Sequence, residues 1–210
     1  MKNNLQIHTM KMMKENHSYL NDIPHFKDWV VINEVNKGWS KDVKYYIVYT
    51  DENEYLLRLS AYDHYTTKKQ EFEVMHMVYR HGFNMSRPID FGVCNNGKMV
   101  YSLLSWVKGE SLEEKIGSMS IAEQYDLGGK AGKVLRKFHS IPAPDDQQDW
   151  EERMKVKMTW HLEKYMACGI KVENDTYAIQ YLNDNLHLLQ GRNQVFQHGD
   201  FHIGNIIFGR

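Results

Sequence analysis

The chain has 210 residues, 42% hydrophobic and 25% charged, with a formal net charge of -1 and two cysteines. That balance can bury a core as one large domain or as two small lobes. It argues against a nucleic-acid partner, for want of a basic excess. It also argues against a disulfide framework, because Cys94 and Cys168 stand far apart without C-x-x-C spacing. No apolar run reaches the roughly 18 residues that a membrane span needs, and Met1-Lys2-Asn3-Asn4 is not followed by the apolar stretch of a signal peptide. Free thiols, no membrane and a cytoplasmic location are the expectations.

The first twenty residues are polar, carry methionines at positions 10, 12 and 13 without a period, and are expected to be loosely ordered or a short outer helix. From Trp29 the pattern changes. Trp29 to Ile32, Val43 to Tyr49 and Tyr55 to Leu59 are rich in β-branched and aromatic residues, separated by Asn36-Lys37-Gly38 and Asp51-Glu52-Asn53, and predict three antiparallel strands. Helical spacing of Phe72, Met75, Val78 and Tyr79 predicts a helix from about Thr66 to Arg80, stopped at His81-Gly82. Pro88 to Val93 and Lys98 to Leu104 predict a hairpin turning at Asn95-Asn96-Gly97.

After Gly109 the pattern becomes helical. Ser111 with Glu114 and Ser120 with Glu123 have capping-box spacing. Leu127, Ala131, Val134, Leu135 and Phe138 form an apolar stripe, with Gly128, Gly129 and Gly132 permitting close helix approach. Two further helices are predicted from about Trp150 to Ala167 and from about Thr176 to Leu189. The composition shift near Ser105 to Gly109 divides the chain into residues 1–105, an N-terminal lobe, and 106–210, a mainly helical lobe.

The most informative stretch is His198-Gly199-Asp200-Phe201-His202-Ile203-Gly204-Asn205, lying between the strand-like Gln194-Val195-Phe196 and Ile206-Ile207-Phe208. It sets an aspartate and an asparagine five positions apart in a loop. Kinases use this D-x-x-x-x-N spacing so that the Asp takes the acceptor hydroxyl's proton and the Asn holds a magnesium ion. Gly199 and Gly204 permit a tight backbone, although the same residue types also suit an ordinary turn between strands. His198 is expected to support the loop, and His202 to be partly exposed.

Here the chain resembles the aminoglycoside phosphotransferase and choline kinase-like family, relatives of the protein kinases, through its H-G-D-x-x-x-x-N loop. Val134-Leu135-Arg136-Lys137-Phe138-His139-Ser140 is similar to the family's helix ending in L-x-x-x-H-s. Trp106-Val107-Lys108-Gly109-Glu110 looks like the segment after its interlobe hinge, and Gly38-Trp39-Ser40 like its nucleotide-positioning loop. The resemblance runs from about Val31 to Phe208. It implies an α+β, two-lobed protein kinase-like fold: a five-stranded antiparallel sheet with one helix, then a mainly helical lobe, with the nucleotide between lobes. It implies ATP and Mg2+ as cofactors and transfer of the γ-phosphoryl group to a hydroxyl of a small molecule.

The same resemblance implies the roles of individual residues. Asp200 would be the catalytic base and Asn205 the metal ligand. Gly38 and Ser40 would approach the phosphates, and Ser105, Trp106 and Val107 would offer backbone groups to the adenine. Arg58 stands where the family usually has a lysine, and a guanidinium fork is not a drop-in replacement for an ammonium. Glu71, rather than Glu73 two positions on, would orient it. The family's second metal-binding aspartate has no counterpart in Ile206-Ile207-Phe208-Gly209-Arg210, so a C-terminally truncated member is expected. The alternative is a catalytically silent nucleotide-binding remnant or partner-binding module. Acceptor identity and oligomeric state are not legible.

Overall fold

Alternating side chains in the first half of the chain build a sheet with two differently used faces. The computed structural model describes residues 14–38 and 40–209; the methionines at 10, 12 and 13, Trp39 and Arg210 lie outside them. Two compact units result, dividing after Gly109 rather than at the expected Ser105. No helix among the described residues is long and apolar enough to cross a membrane.

The first unit is a five-stranded antiparallel sheet: β1 (Trp29–Glu34), β2 (Val43–Tyr49), β3 (Glu54–Ala61), β4 (Pro88–Cys94) and β5 (Met99–Ser105). Their order is β1-β2-β3-β5-β4, every neighbouring pair antiparallel. Between β3 and β4 runs helix α1 (Tyr65–Arg80). The β4–β5 turn works because Asn95, Asn96 and Gly97 all take positive φ, a conformation asparagine and glycine tolerate best. In β4, a side chain at Gly92 would meet the Tyr101 ring at 2.8 Å, so the strand passes that ring only without a Cβ.

Register aligns Tyr45 with Leu57 and Leu57 with Leu103, and aligns Leu59 with Tyr101. These residues therefore share one face, where they join Ile32, Ile47 and Cys94 in the core. Leu20, Ile23 and Trp29 belong to the same core, Leu20 with no exposed surface, and Tyr19 Oη lies 2.8 Å from Tyr45 Oη. The end of the segment expected to be loose is thus part of the core, because its isolated apolar residues carry no period that a sequence could reveal. Burial pushes the Cys94 thiol up to about 12, leaving it unreactive; Cys94 and Cys168 are both free. The opposite face aligns Lys44, Arg58, Ser102 and Phe91 across four strands. Here α1 packs through Phe72, whose ring lies 5.5 Å from that of Phe91.

The second unit begins with a short strand β6 (Glu110–Ser111) and a helical turn (Leu112–Lys115). Helices α2 (Ile121–Phe138), α3 (Trp150–Ala167) and α4 (Asp175–Asp184) follow. Ser120 and Glu123 form the expected capping box at the start of α2. Ser111 makes no side-chain cap bond. Asp149 caps α3 by accepting from the N–H groups of Glu151 and Glu152 at 2.8 and 3.2 Å. The helix expected to reach Leu189 ends at Asp184, and Leu186–Leu189 is a separate 3-10 turn.

The apolar stripe of α2 has the expected face, but only Phe138 on it is buried, and Val134 is 43% exposed. A Cβ on Gly128, Gly129 or Gly132 would meet nothing within 4 Å, so no element among the described residues uses these glycines for a close approach. The stretch Gln194 to Phe196 is not a full strand. It makes one bridge, Val195 to Pro142, extended by Ala143 N–H to Gln194 O and Phe196 N–H to Ile141 O.

Candidate active site

The loop from His198 to Asn205 is anchored at both ends. On entry, Phe138 at the end of α2 packs edge-on against His198 and Phe201, with ring centroids 5.6 and 6.5 Å away. His198 Nδ1 accepts from Asp200 N–H at 3.4 Å, which gives His198 the supporting role its position implies. Gly199 has a φ of 79°, and so turns the chain where another residue would be strained. On exit, β7 (Ile207–Phe208) pairs with β6, and Leu112 N–H donates to Ile206 O at 2.9 Å.

Between these anchors a 3-10 turn, Ile203–Asn205, folds Asn205 back onto Asp200. Asn205 Nδ2 donates to the Asp200 carboxylate and to the Asp200 carbonyl, both at 2.9 Å. Asp200 keeps 76% of its side chain exposed. Its carboxylate is therefore held by Asn205 at Oδ2 and otherwise largely exposed. His202 Nδ1 accepts from Gly204 N–H at 3.1 Å, and its Nε2 lies 3.6 Å from Asp200 Oδ1. A Cβ at Gly204 would come within 2.7 Å of the His202 ring and 3.3 Å of Glu113 Oε2, so the loop closes only around a glycine. Glu113 was not expected near this loop. Nothing in its local sequence pairs it with a segment ninety residues later.

In the first unit, Arg58 does not have Glu71 as its main partner. Its Nη2 lies 2.5 Å from Asp42 Oδ2 and 4.0 Å from Glu71 Oε2. Asp42 is the hub: its Oδ2 also accepts from Arg58 Nε and Lys68 Nζ, each at 3.1 Å, and its Oδ1 from Ser60 Oγ at 2.6 Å. Glu71 instead pairs with Lys68 at 3.1 Å, one helical turn away. Burial opposes ionisation of Asp42, but the Ser60 hydroxyl, the Arg58 guanidinium and the Lys68 ammonium outweigh it and hold the carboxyl well below its usual range. Asp42, Ser60 and Lys68 were missed in the sequence. Only the Lys68–Glu71 spacing was a usable signal, whereas Asp42 reaches Arg58 through the β2–β3 register.

Two sequence-predicted groups differ in availability from what was expected. Ser105 N–H donates to Arg87 O and Trp106 N–H to Glu54 O, at 2.8 and 3.0 Å. Those two amides are already used within the unit. Trp106 packs edge-on against Tyr46 at 4.9 Å. Gly38 has a φ of 87°, and Ser40 Oγ accepts from Asp42 N–H at 3.0 Å, tying that loop to the Asp42 hub.

A family model described as "Phosphotransferase enzyme family" matches residues 31–210. The chain belongs to the phosphotransferase enzyme family. A search of curated protein sequences gave no match. Among solved structures, the chain is similar to an amicoumacin kinase, hAmiN, described in complex with AMP-PNP, Ca2+ and Ami, with 14% identity and a TM-score of 0.54. That match covers 95% of this chain and 60% of the kinase. It is similar as well to the aminoglycoside phosphotransferase APH(3'')-Id from Streptomyces rimosus, with 14% identity and a TM-score of 0.55 over 96% of this chain and 70% of that one. At such identity the likeness establishes the fold, which is kinase-like and α+β, as the sequence implied. No group of three or more His, Cys, Asp or Glu side chains among the described residues could hold a metal.

Proposed function

We propose that this family member carries the nucleotide-binding and catalytic-loop elements of an ATP-dependent phosphotransferase whose acceptor is a hydroxyl on a small molecule. The observation that supports this most is the convergence of Asn205 on Asp200 at 2.9 Å, in a loop whose sequence resembles the family's catalytic loop. The structural neighbours, an amicoumacin kinase described in complex with AMP-PNP and Ca2+ and an aminoglycoside phosphotransferase, point the same way.

The donor chemistry suits magnesium. Asn205 offers an amide oxygen, and a hard ion that keeps waters and phosphate oxygens as ligands needs only one or two such protein groups. When bound, the ion neutralises charge on the phosphates. Every other task falls to the chain. The exposed carboxylate of Asp200 accepts the acceptor's hydroxyl proton as the acceptor oxygen bonds to phosphorus and the bond to the departing ADP oxygen breaks. Asn205 fixes the Asp200 rotamer through its amide hydrogens. The Ser105 to Val107 carbonyls and the Val107 N–H face the base, and the Gly38–Ser40 loop and Arg58 face the phosphates. Glu71 acts on them through Lys68 rather than through Arg58.

The test is acceptor-dependent release of ADP from ATP, measured across a panel of aminoglycosides, macrolides and amino alcohols. The reading expects at least one acceptor to stimulate release in wild type and none to do so in Asp200→Ala. Equal release in the two proteins contradicts it.

A further inference from the structure

The polar face of the sheet contains an anion cradle that the sequence did not reveal. Arg58 Nε, Arg58 Nη2, Lys68 Nζ and Ser60 Oγ all donate to one carboxylate, that of Asp42, at distances from 2.5 to 3.1 Å. The carboxylate is 7% exposed, while the Arg58 and Lys68 side chains are 24% and 17% exposed. The cations thus reach solvent around an anion that lies beneath them. Two cations, two carboxylates and a hydroxyl make the cluster electrically self-balanced when nothing is bound.

We propose that Lys68 and Arg58 together form a two-cation phosphate clamp, with Lys68 supplying the ammonium that β3 lacks and Asp42 serving as the internal anion that phosphate oxygens displace. This rests on the function proposed above and assigns its phosphate-binding residues. Three observations support it. A guanidinium presents a rigid planar fork, whereas an ammonium is a compact point charge, so an arginine in β3 does not by itself reproduce a lysine there. Lys68 is brought to the same oxygen as Arg58 by a different element, α1, and Glu71 at 3.1 Å holds it from behind. Asp42 also lies beside the glycine-containing loop, its backbone N–H donating to Ser40 Oγ at 3.0 Å. A carboxylate binds a guanidinium or ammonium through the same charge-assisted geometry as a phosphate oxygen, which makes Asp42 a faithful stand-in.

The experiment is calorimetric titration of the full chain with Mg–AMP-PNP and, separately, with adenosine, in wild type and in Lys68→Met, Lys68→Arg and Asp42→Asn. Loss of a charge-assisted phosphate contact weakens Mg–AMP-PNP binding to Lys68→Met about 10- to 100-fold. Adenosine binding, which reports an intact fold and base site, is unchanged, and Lys68→Arg recovers most of the loss. Asp42→Asn removes the competing charge and tightens Mg–AMP-PNP. If wild type binds Mg–AMP-PNP and Lys68→Met binds it equally well, the clamp is wrong and the proposed function stands. Weaker binding by Asp42→Asn with normal adenosine affinity overturns the displaced-anion role. Wild type that binds neither ligand overturns both the clamp and the function on which it rests.

Discussion

The sheet unit and the helical unit are both rich in regular elements, yet they hold them in different ways. Among the described residues, Leu112, Phe138 and Ile141 are the buried apolar side chains of the helical unit, and the sheet unit has all the others. In the first unit each strand contributes to a common apolar face, and its burial supplies most of the local stability. In the second, Ile121, Tyr125 and Tyr177 are 87%, 86% and 73% exposed. There the order rests on caps, helix propensity and the anchors around the His198–Asn205 loop. Polar chemistry is divided in the same way: the Asp42 cluster is half-enclosed by packing, whereas the Asp200–Asn205 pair lies open on a loop. A buried cluster is strongly tuned by its neighbours, and an exposed pair depends on local backbone geometry.

Substitutions can break or sharpen that contrast. The largest effect is expected for Leu57→Ala, at a position with no exposed surface. Urea denaturation should show a loss of about 2–5 kcal/mol. Next comes Asp42→Asn. The folded chain holds this carboxyl below its ordinary 3.8, so its ionised form stabilises the fold above the unfolded value, and that contribution disappears as pH falls through the lowered folded value. The difference in urea midpoint between wild type and Asp42→Asn should therefore be full above about pH 4 and shrink below it. A difference that grows on acidification would contradict the hub. In the helical unit, Gly129→Ala adds a Cβ that meets nothing and should raise stability by roughly 0.5–1 kcal/mol through helix propensity. Destabilisation would mean that the face is packed after all. Ile121→Ala, at a largely exposed side chain, should move the midpoint by no more than about 0.5 kcal/mol.

Much of the architecture was legible in the sequence, and what was not shares one cause. The β4–β5 hairpin could be read because Asn95-Asn96-Gly97 encodes its own turn, and α3 was placed from Trp150 to Ala167, the bounds it has. The Asp200–Asn205 contact was readable from spacing, since both residues lie in one loop. Asp42, Ser60 and Lys68 were not, because register and a helix crossing bring them together from separate elements. The same cause explains the replacement of Glu71 by Asp42 as the partner of Arg58. A stripe such as Leu127, Ala131, Val134, Leu135 and Phe138 identifies the apolar face of a helix but not what covers it. Periodicity therefore located α2 and misjudged its glycines. Ser105 and Trp106 show another limit: backbone amides look alike in sequence, and only the pairing to Arg87 and Glu54 reveals that they are occupied.

The central claim is that Asp200 and Asn205 act as one chemical unit, and it is tested most directly by transfer of a labelled γ-phosphoryl group from ATP to a hydroxyl acceptor. Asp200→Asn keeps the shape of the side chain and the contact with Asn205 while removing the base. The account predicts transfer slowed by about 10²- to 10⁴-fold, with Mg–AMP-PNP affinity kept. Transfer by Asp200→Asn at the wild-type rate, or no transfer by wild type to any acceptor, would contradict it.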